Sequence, residues 1–208
     1  MSMTKIIAIT GPDGAGKSSV CSLLATLFLP NTKVVNIWDS LDQSPFYPCK
    51  SCIHTYLKEN DPLSRSLLIL HGISQSLNRA LSQKPDTLIL DGYWYKYAVT
   101  EEALSGYTKQ FELAANLLPK AHLTFFLDAK PITTINRKDY LSSFELGLTE
   151  KKEPQAQFLS FQGLVYEAWQ HMRTRNPHWH EIDTQNISAP QVADLIYQIS
   201  RRDFIHAH

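Results

Sequence analysis

Residues 11 to 18 read Gly11-Pro12-Asp13-Gly14-Ala15-Gly16-Lys17-Ser18, a complete G-x-x-x-x-G-K-[ST] phosphate-binding loop. Backbone N–H groups of such a loop, with the start of the helix behind it, converge on one point and suit a triphosphate. In this arrangement Lys17 reaches the β- and γ-phosphates and the Ser18 hydroxyl coordinates Mg²⁺, while Gly11, Asp13, Gly14, Ala15, Gly16 and Ser19 complete the cradle. A second chemical position is Asp91, which closes the run Thr87-Leu88-Ile89-Leu90-Asp91. A carboxylate at the carboxyl end of an apolar strand has the Walker B pattern and belongs beside the metal. The cofactors this predicts are ATP and Mg²⁺.

Such groups act only if a strand feeds the loop and a helix leaves it. Lys5-Ile6-Ile7-Ala8-Ile9-Thr10 is short, apolar and β-branched, as a buried strand requires. From Ser18 to Phe28 the apolar residues Val20, Leu23, Leu24, Leu27 and Phe28 fall at helical spacing. Further strands are expected at Lys33–Trp38, Thr87–Asp91, His122–Asp128 and Trp179–Ile182. A loop rich in Ser, Pro, Asp and Cys is expected from Asp39 to about Asp61. Asp61 and Pro62 should open a helix as N-cap and first helical residue, with a stripe of Leu63, Leu67, Leu70, Leu77 and Leu81. A helix from Pro131 carries Arg137, an amphipathic one covers Gln155–Arg173, and a last one covers Ala189–Arg201. Alternation of strands with helices predicts an α/β layered fold around a parallel sheet.

Bulk properties narrow the class. A chain of 208 residues fits one substantial core, so 1-208 reads as a single domain. Twenty basic residues balance twenty acidic ones, so no general field draws the chain to nucleic acid or an anionic membrane. No apolar run reaches the ~20 residues of a membrane span, and the first strand begins too early for a signal peptide. A cytoplasmic protein is expected. Three cysteines do not suggest a disulfide scaffold. Cys49, Cys52 and His54 offer three zinc-type ligands in a polar stretch, but a structural site needs a fourth, so reduced thiols are the simpler reading.

Gly11 to Ser19, Leu90-Asp91-Gly92-Tyr93, and Phe126-Leu127-Asp128-Ala129-Lys130-Pro131 through Arg137 together resemble the thymidylate kinases. Phe158, Phe161 and Tyr166 resemble that family's late aromatic helix, and Ile182-Asp183-Thr184 its segment before the final helix. The likeness implies a P-loop NTPase three-layer sandwich, with a five-stranded parallel sheet flanked by helices and a lid at about 138-154. It implies an ATP:nucleoside-monophosphate phosphotransferase acting on a small nucleotide, often as a homodimer. By matched position, Asp13 touches the acceptor sugar, Asp91 lies near magnesium and the acceptor phosphate, Arg137 starts the mobile lid, and Asp183 lies beside the adenine.

The departures concern the acceptor. The family's Asp-Arg-Tyr is Asp91-Gly92-Tyr93 here, so the arginine gripping the acceptor phosphate is missing. After strand two the family has Pro-Glu-Arg or Glu-Pro-Gly, where this chain has Trp38-Asp39-Ser40, with no arginine before Arg65. Neither the phenylalanine nor the arginine that packs on thymine occurs near Leu68 to Ser76, and the second lid arginine is Ser143. Guanidinium forks bind phosphate bidentately, at roughly 1.5–3 kcal/mol per charged hydrogen bond. Lys96, Arg65 and Arg79 are candidate replacements. Trp38, Tyr93, Trp94 and Tyr97 are candidate acceptor-pocket aromatics. Asp91-Gly92-Tyr93-Trp94-Tyr95 also loosely resembles the Asp-Arg-Ser-Trp-Tyr signature of the second polyphosphate kinase family, again without its arginine.

Three readings stay open. The first is transfer from ATP to a nucleoside monophosphate such as dTMP, with Lys17, Asp91 and Arg137 catalytic and Lys138, Lys151 or Lys152 assisting. The second is a different acceptor, such as a nucleoside, with Asp91 as base toward a hydroxyl. The third is a non-catalytic ATP-binding module, which the intact Lys17, Ser18 and Asp91 set argues against.

Overall fold

In a computed structural model, described for residues 3–38, 50–149 and 153–206, five parallel strands form one sheet in the order β2-β3-β1-β4-β5. The strands are β1 (Lys5–Thr10), β2 (Thr32–Val35), β3 (Thr87–Asp91), β4 (Leu123–Asp128) and β5 (His180–Asp183). The helices are α1 (Lys17–Leu27), α2 (Lys50–Glu59), α3 (Pro62–Ser82), α4 (Trp94–Ser105), α5 (Lys109–Ala115), α6 (Pro131–Ile135), α7 (Pro154–Thr174) and α8 (Ala189–His206).

Strand periodicity builds the three layers. Ile7 and Ile9 of β1, Ile89 of β3 and Phe125 and Leu127 of β4 point to one face, where Val20 and Leu24 of α1 and Val192 and Ile196 of α8 cover them. Ile6, Ala8, Leu88, Leu90 and Phe126 point to the other, against Ile53 of α2, Ile73 of α3, Tyr97 of α4 and Trp169 of α7. Both faces being covered explains why β1, β3 and β4 read as continuous apolar runs rather than alternating ones.

Local chemistry placed several boundaries well. The Asp61 carboxylate accepts from the Leu63 and Ser64 amides at 2.9 and 3.1 Å, capping α3 as expected. Other expectations need correction. β2 ends at Val35 because Asn36 turns the chain into a helical step, its side-chain oxygen accepting from the Trp38 amide at 3.0 Å. The stretch 50–59 is helical, not loop, since Ile53 and Leu57, four residues apart, are both fully buried. Asp39 to Cys49 lie outside the described residues. On α3 the buried face is Leu68, Ile69, Ile73, Leu77 and Ala80, whereas Leu63 and Leu67 are exposed. Between β3 and β4 the chain forms α4 and α5. Residues 97 to 101 of α4 are all buried, so neighbours on several sides erase the amphipathic signal there.

Arg65 of α3 is consumed by this packing. Its Nε and Nη2 donate to the two carboxylate oxygens of Glu101 on α4 at 3.1 and 2.6 Å, and Nη1 donates to the Asn60 carbonyl at 2.7 Å. Arg65 is 8% and Glu101 2% exposed, so removing one partner strands a buried charge. Arg65→Met should lower the unfolding free energy by about 3–5 kcal/mol in urea titrations. A loss below about 1 kcal/mol would mean the pair carries the weight of a surface contact only.

Candidate active site

All five strands end at the same edge of the sheet, and β1 sits between β3 and β4, so the chain leaving β1 enters a crevice at a topological switch point. The loop 11–16 fills that crevice. Gly11 has φ 134°, and a Cβ there would lie 2.4 Å from the Leu127 carbonyl oxygen of β4. Glycine is needed at that point because β4 passes too close for any side chain.

Pairing β1 with β3 sets Ile9 opposite Asp91, and the Gly92 amide donates to the Ile9 carbonyl at 2.9 Å. Asp91 thereby reaches the start of α1, where the Ser18 hydroxyl donates to its Oδ2 at 2.7 Å. The side-chain amide of Asn36, at the end of β2, donates to the same oxygen at 3.2 Å. Sequence reasoning missed Asn36. Its signal was a polar residue closing a strand that neighbours the aspartate strand, and reading it required the strand order.

Lys17 is buried and folded back on its own loop, donating to the Gly11 and Pro12 carbonyls at 2.9 and 2.6 Å. Asp13 lies 3.8 Å from Lys17 Nζ and 2.7 Å from Lys96 Nζ, so one carboxylate serves two ammonium groups. Burial pulls the Lys17 ammonium down to about 8, and the Lys96 charge adds to it. Burial would push the Asp13 carboxyl up, but the charges of Lys96 and Lys17 override it and hold Asp13 well below the usual carboxylate range. Lys96 goes the other way: burial works against its charge, and Asp13 more than restores it, raising the ammonium above its ordinary value.

Two cavities open on this edge. One of about 500 Å³ contains Lys17, Ser18, Asn36, Asp91 and Arg137. The other, about 890 Å³, is walled by Trp38, His54, Tyr140 and Phe144. Trp38 stacks on His54 at 5.9 Å between ring centres and meets Phe144 and Tyr97 edge-on, each at 6.2 Å. Phe144 belongs to the expected lid, in which Lys138 is paired with Glu145 and Gln162 of α7 donates to the Glu145 carbonyl at 3.0 Å. Residues 150–152, with Lys151 and Lys152, lie outside the described part.

The remaining candidates fall as follows. Ala15 is buried under the loop, while Gly14, Gly16 and Ser19 line the smaller cavity. Arg137 also borders that cavity, but its Nη2 donates to the Thr184 and Gln185 carbonyls at 2.6 and 3.2 Å, tying the segment after α6 to the loop after β5. Asp183 is exposed and accepts from the Gln185 amide at 2.8 Å, shaping that loop. Tyr93 is buried, donates its hydroxyl to the Pro119 carbonyl at 2.6 Å, and lines neither cleft cavity. Trp94 packs on Tyr95 at 4.4 Å and is likewise outside both. Arg79 sits in the last turn of α3, away from both cavities. Cys21 is buried and Cys52 exposed, Cys49 is outside the described residues, and no cluster of metal-ligating side chains occurs among the described residues.

A hydroxyl and a carboxylate oxygen 2.7 Å apart at the phosphate loop form a hard-oxygen donor pair suited to Mg²⁺, which takes few protein ligands alongside phosphate oxygens. Ser18 and Asp91 are the residues that would hold it.

The phosphate loop between β1 and α1, with Asp91 on the adjacent strand, defines a P-loop NTPase fold. No family model matches the chain. It is 27% identical over 145 residues to the probable thymidylate kinase of Sulfurisphaera tokodaii, covering 69% of this chain and 74% of that protein. Its fold is similar to that of the Candida albicans thymidylate kinase, with a TM-score of 0.71 at 20% identity over 97% of this chain and 93% of that one. It is also similar to the deoxyadenosine kinase of M. mycoides bound to dCMP and dCDP, with a TM-score of 0.67 at 15% identity over 95% and 99%. The likeness to thymidylate kinases read from the motifs thus recurs in a curated relative and in the fold.

The depressed Lys17 gives a pH signature. Below about 8 the ammonium is already charged and ATP meets it as such. Above that value the empty protein holds a neutral amine, which must take up a proton when phosphate oxygens arrive. Calorimetry in buffers of different ionisation enthalpy should show uptake approaching about one proton per ATP at pH 9, with affinity falling by up to about tenfold per pH unit. At pH 7 uptake by Lys17 should fall to about a tenth of a proton. Zero uptake at pH 9 would place Lys17 outside the phosphate site.

Proposed function

We propose that the chain is an ATP-dependent nucleoside monophosphate kinase of the thymidylate kinase type, with dTMP the first acceptor to test. The observation that carries this is the Ser18–Asp91 contact at 2.7 Å beside the buried Lys17, with a second, aromatic-walled cavity on the same edge. Donor phosphates would lie on the loop amides and Lys17, and Ser18 and Asp91 would hold magnesium, which would supply charge neutralisation there. Trp38 and Phe144 offer flat apolar surface to a base. Lys138 on the lid and, once released from the carbonyls of 184 and 185, Arg137 supply cations toward the transferred group. Such catalysis is positioning plus electrostatics and needs no covalent nucleophile.

An unphosphorylated nucleoside is the second reading. It is favoured by one observation: Arg65 and Arg137 are both bonded to protein groups rather than turned into the larger cavity. Magnesium dependence, a homodimeric state and a cytoplasmic location accompany the first reading, and light scattering tests the second of these. No helix among the described residues is long and apolar enough to cross a membrane.

ADP release from ATP·Mg²⁺ should rise with a deoxynucleoside monophosphate, dTMP foremost, above the rate with the matching nucleoside or polyphosphate. Lys17→Ala should lower kcat at least a hundredfold while the protein still melts cooperatively. Turnover surviving that change would refute the site. ATP binding without acceptor-dependent ADP from any panel member would refute the enzyme reading.

A further inference from the structure

The two cleft cavities share Asp13, Trp38, Lys96, Lys138 and Glu145. These residues mark the place where a donor chamber meets an acceptor chamber, so a group transferred between them passes there. The junction holds two cations, each resting on one carboxylate: Lys138 on Glu145 and Lys96 on Asp13. Lys138 rides on the lid. Lys96 stands in the first turn of α4, a helix fixed to β3 by the two residues between them.

Lys96 reaches the junction because position 92 is empty. Gly92 has φ 70°, and a Cβ there would lie 3.1 Å from Lys96 Cδ and 3.9 Å from Lys17 Cε. Any side chain at 92 would be strained and would press on the Lys96 stem. A lysine in the first turn of a helix also opposes the helix dipole, and burial adds to its cost. Asp13 offsets this, but Lys17 shares the same carboxylate, so Lys96 holds only part of one counter-charge there, with the Asp91 charge acting on both lysines from the end of β3. An anion arriving at the junction would give Lys96 a partner that it need not share with Lys17.

We infer that Lys96, passing over Gly92 and resting on Asp13, exchanges that carboxylate for the phosphate of the acceptor, so that the acceptor is a phosphate monoester rather than its neutral counterpart. This rests on the proposed kinase reading for the word acceptor, but the binding itself can be measured without turnover. Lys96 does so as a point charge, where a guanidinium at 92 would have acted as a fork.

The test is calorimetric binding of dTMP, dCMP, dAMP and dGMP, each against its nucleoside, to the full chain without ATP. The tightest monophosphate should bind at least tenfold better than its nucleoside. Lys96→Gln, which can still donate to Asp13, should weaken that monophosphate at least tenfold and leave the nucleoside within twofold. Lys96→Arg, which keeps the charge, should stay within about threefold of the parent. Monophosphates binding no better than nucleosides would overturn the inference. So would equal losses for both ligands, or equal losses in both variants. If the binding pattern is as stated but no monophosphate yields ADP, the inference stands and the kinase reading falls.

Discussion

The parallel pairing of β1 with β3 is the constraint on which the cleft depends. It fixes Ile9 opposite Asp91, and because both strands are buried on both faces a one-residue slip would exchange side chains between two differently packed layers. Asp91 then projects at the height where β1 gives way to the phosphate loop, and Ser18 meets it at hydrogen-bond distance. From the other side β4 closes against Gly11, leaving the loop one path between its neighbours. The loop's geometry is thus held by three strands and not by its own residues alone.

Electrostatics give the cleft its second character. Lys17 is buried and the adjoining Lys96 and Asp13 are half-buried, and their charges hold Lys17 and Asp13 low and Lys96 high. Lys17 is satisfied by the carbonyls of its own loop, which keeps an unpaired ammonium from being stranded in a low-dielectric site. A polyphosphate offers the same ammonium stronger partners. Lys138 and Glu145 repeat the pattern at the mouth of the cleft. Lys17, Lys96 and Lys138 are each held by an oxygen group that a phosphate can replace.

The acceptor side shows why single residues mislead. Tyr93 follows the aspartate strand and reads as a pocket residue, yet its hydroxyl reaches the Pro119 carbonyl and the ring serves the core. Arg65 looks available for phosphate and is spent on Glu101, which a helix 36 residues later brings to it. Arg137 reads in the sequence as a lid cation, and the structure shows its guanidinium on the carbonyls of the loop after β5. Asn36, silent in the sequence, sits on Asp91 because β2 lies beside β3.

What the sequence determined by itself is the donor half: the strand, the glycine-rich turn, Lys17 and Ser18 are contiguous, so local rules suffice to recognise them and to expect ATP. The alternation of strands and helices likewise fixed the α/β class, since each element's burial pattern is written in its own residues. Tertiary structure alone decided which strands are neighbours, and with that the meeting of Ser18, Asn36 and Asp91 and the sharing of Asp13 by Lys17 and Lys96. Those contacts join residues up to 83 positions apart, and neither propensity nor periodicity carries information across such a distance. They follow from the packing of whole layers, which selects one strand order and register from many that the same local patterns allow.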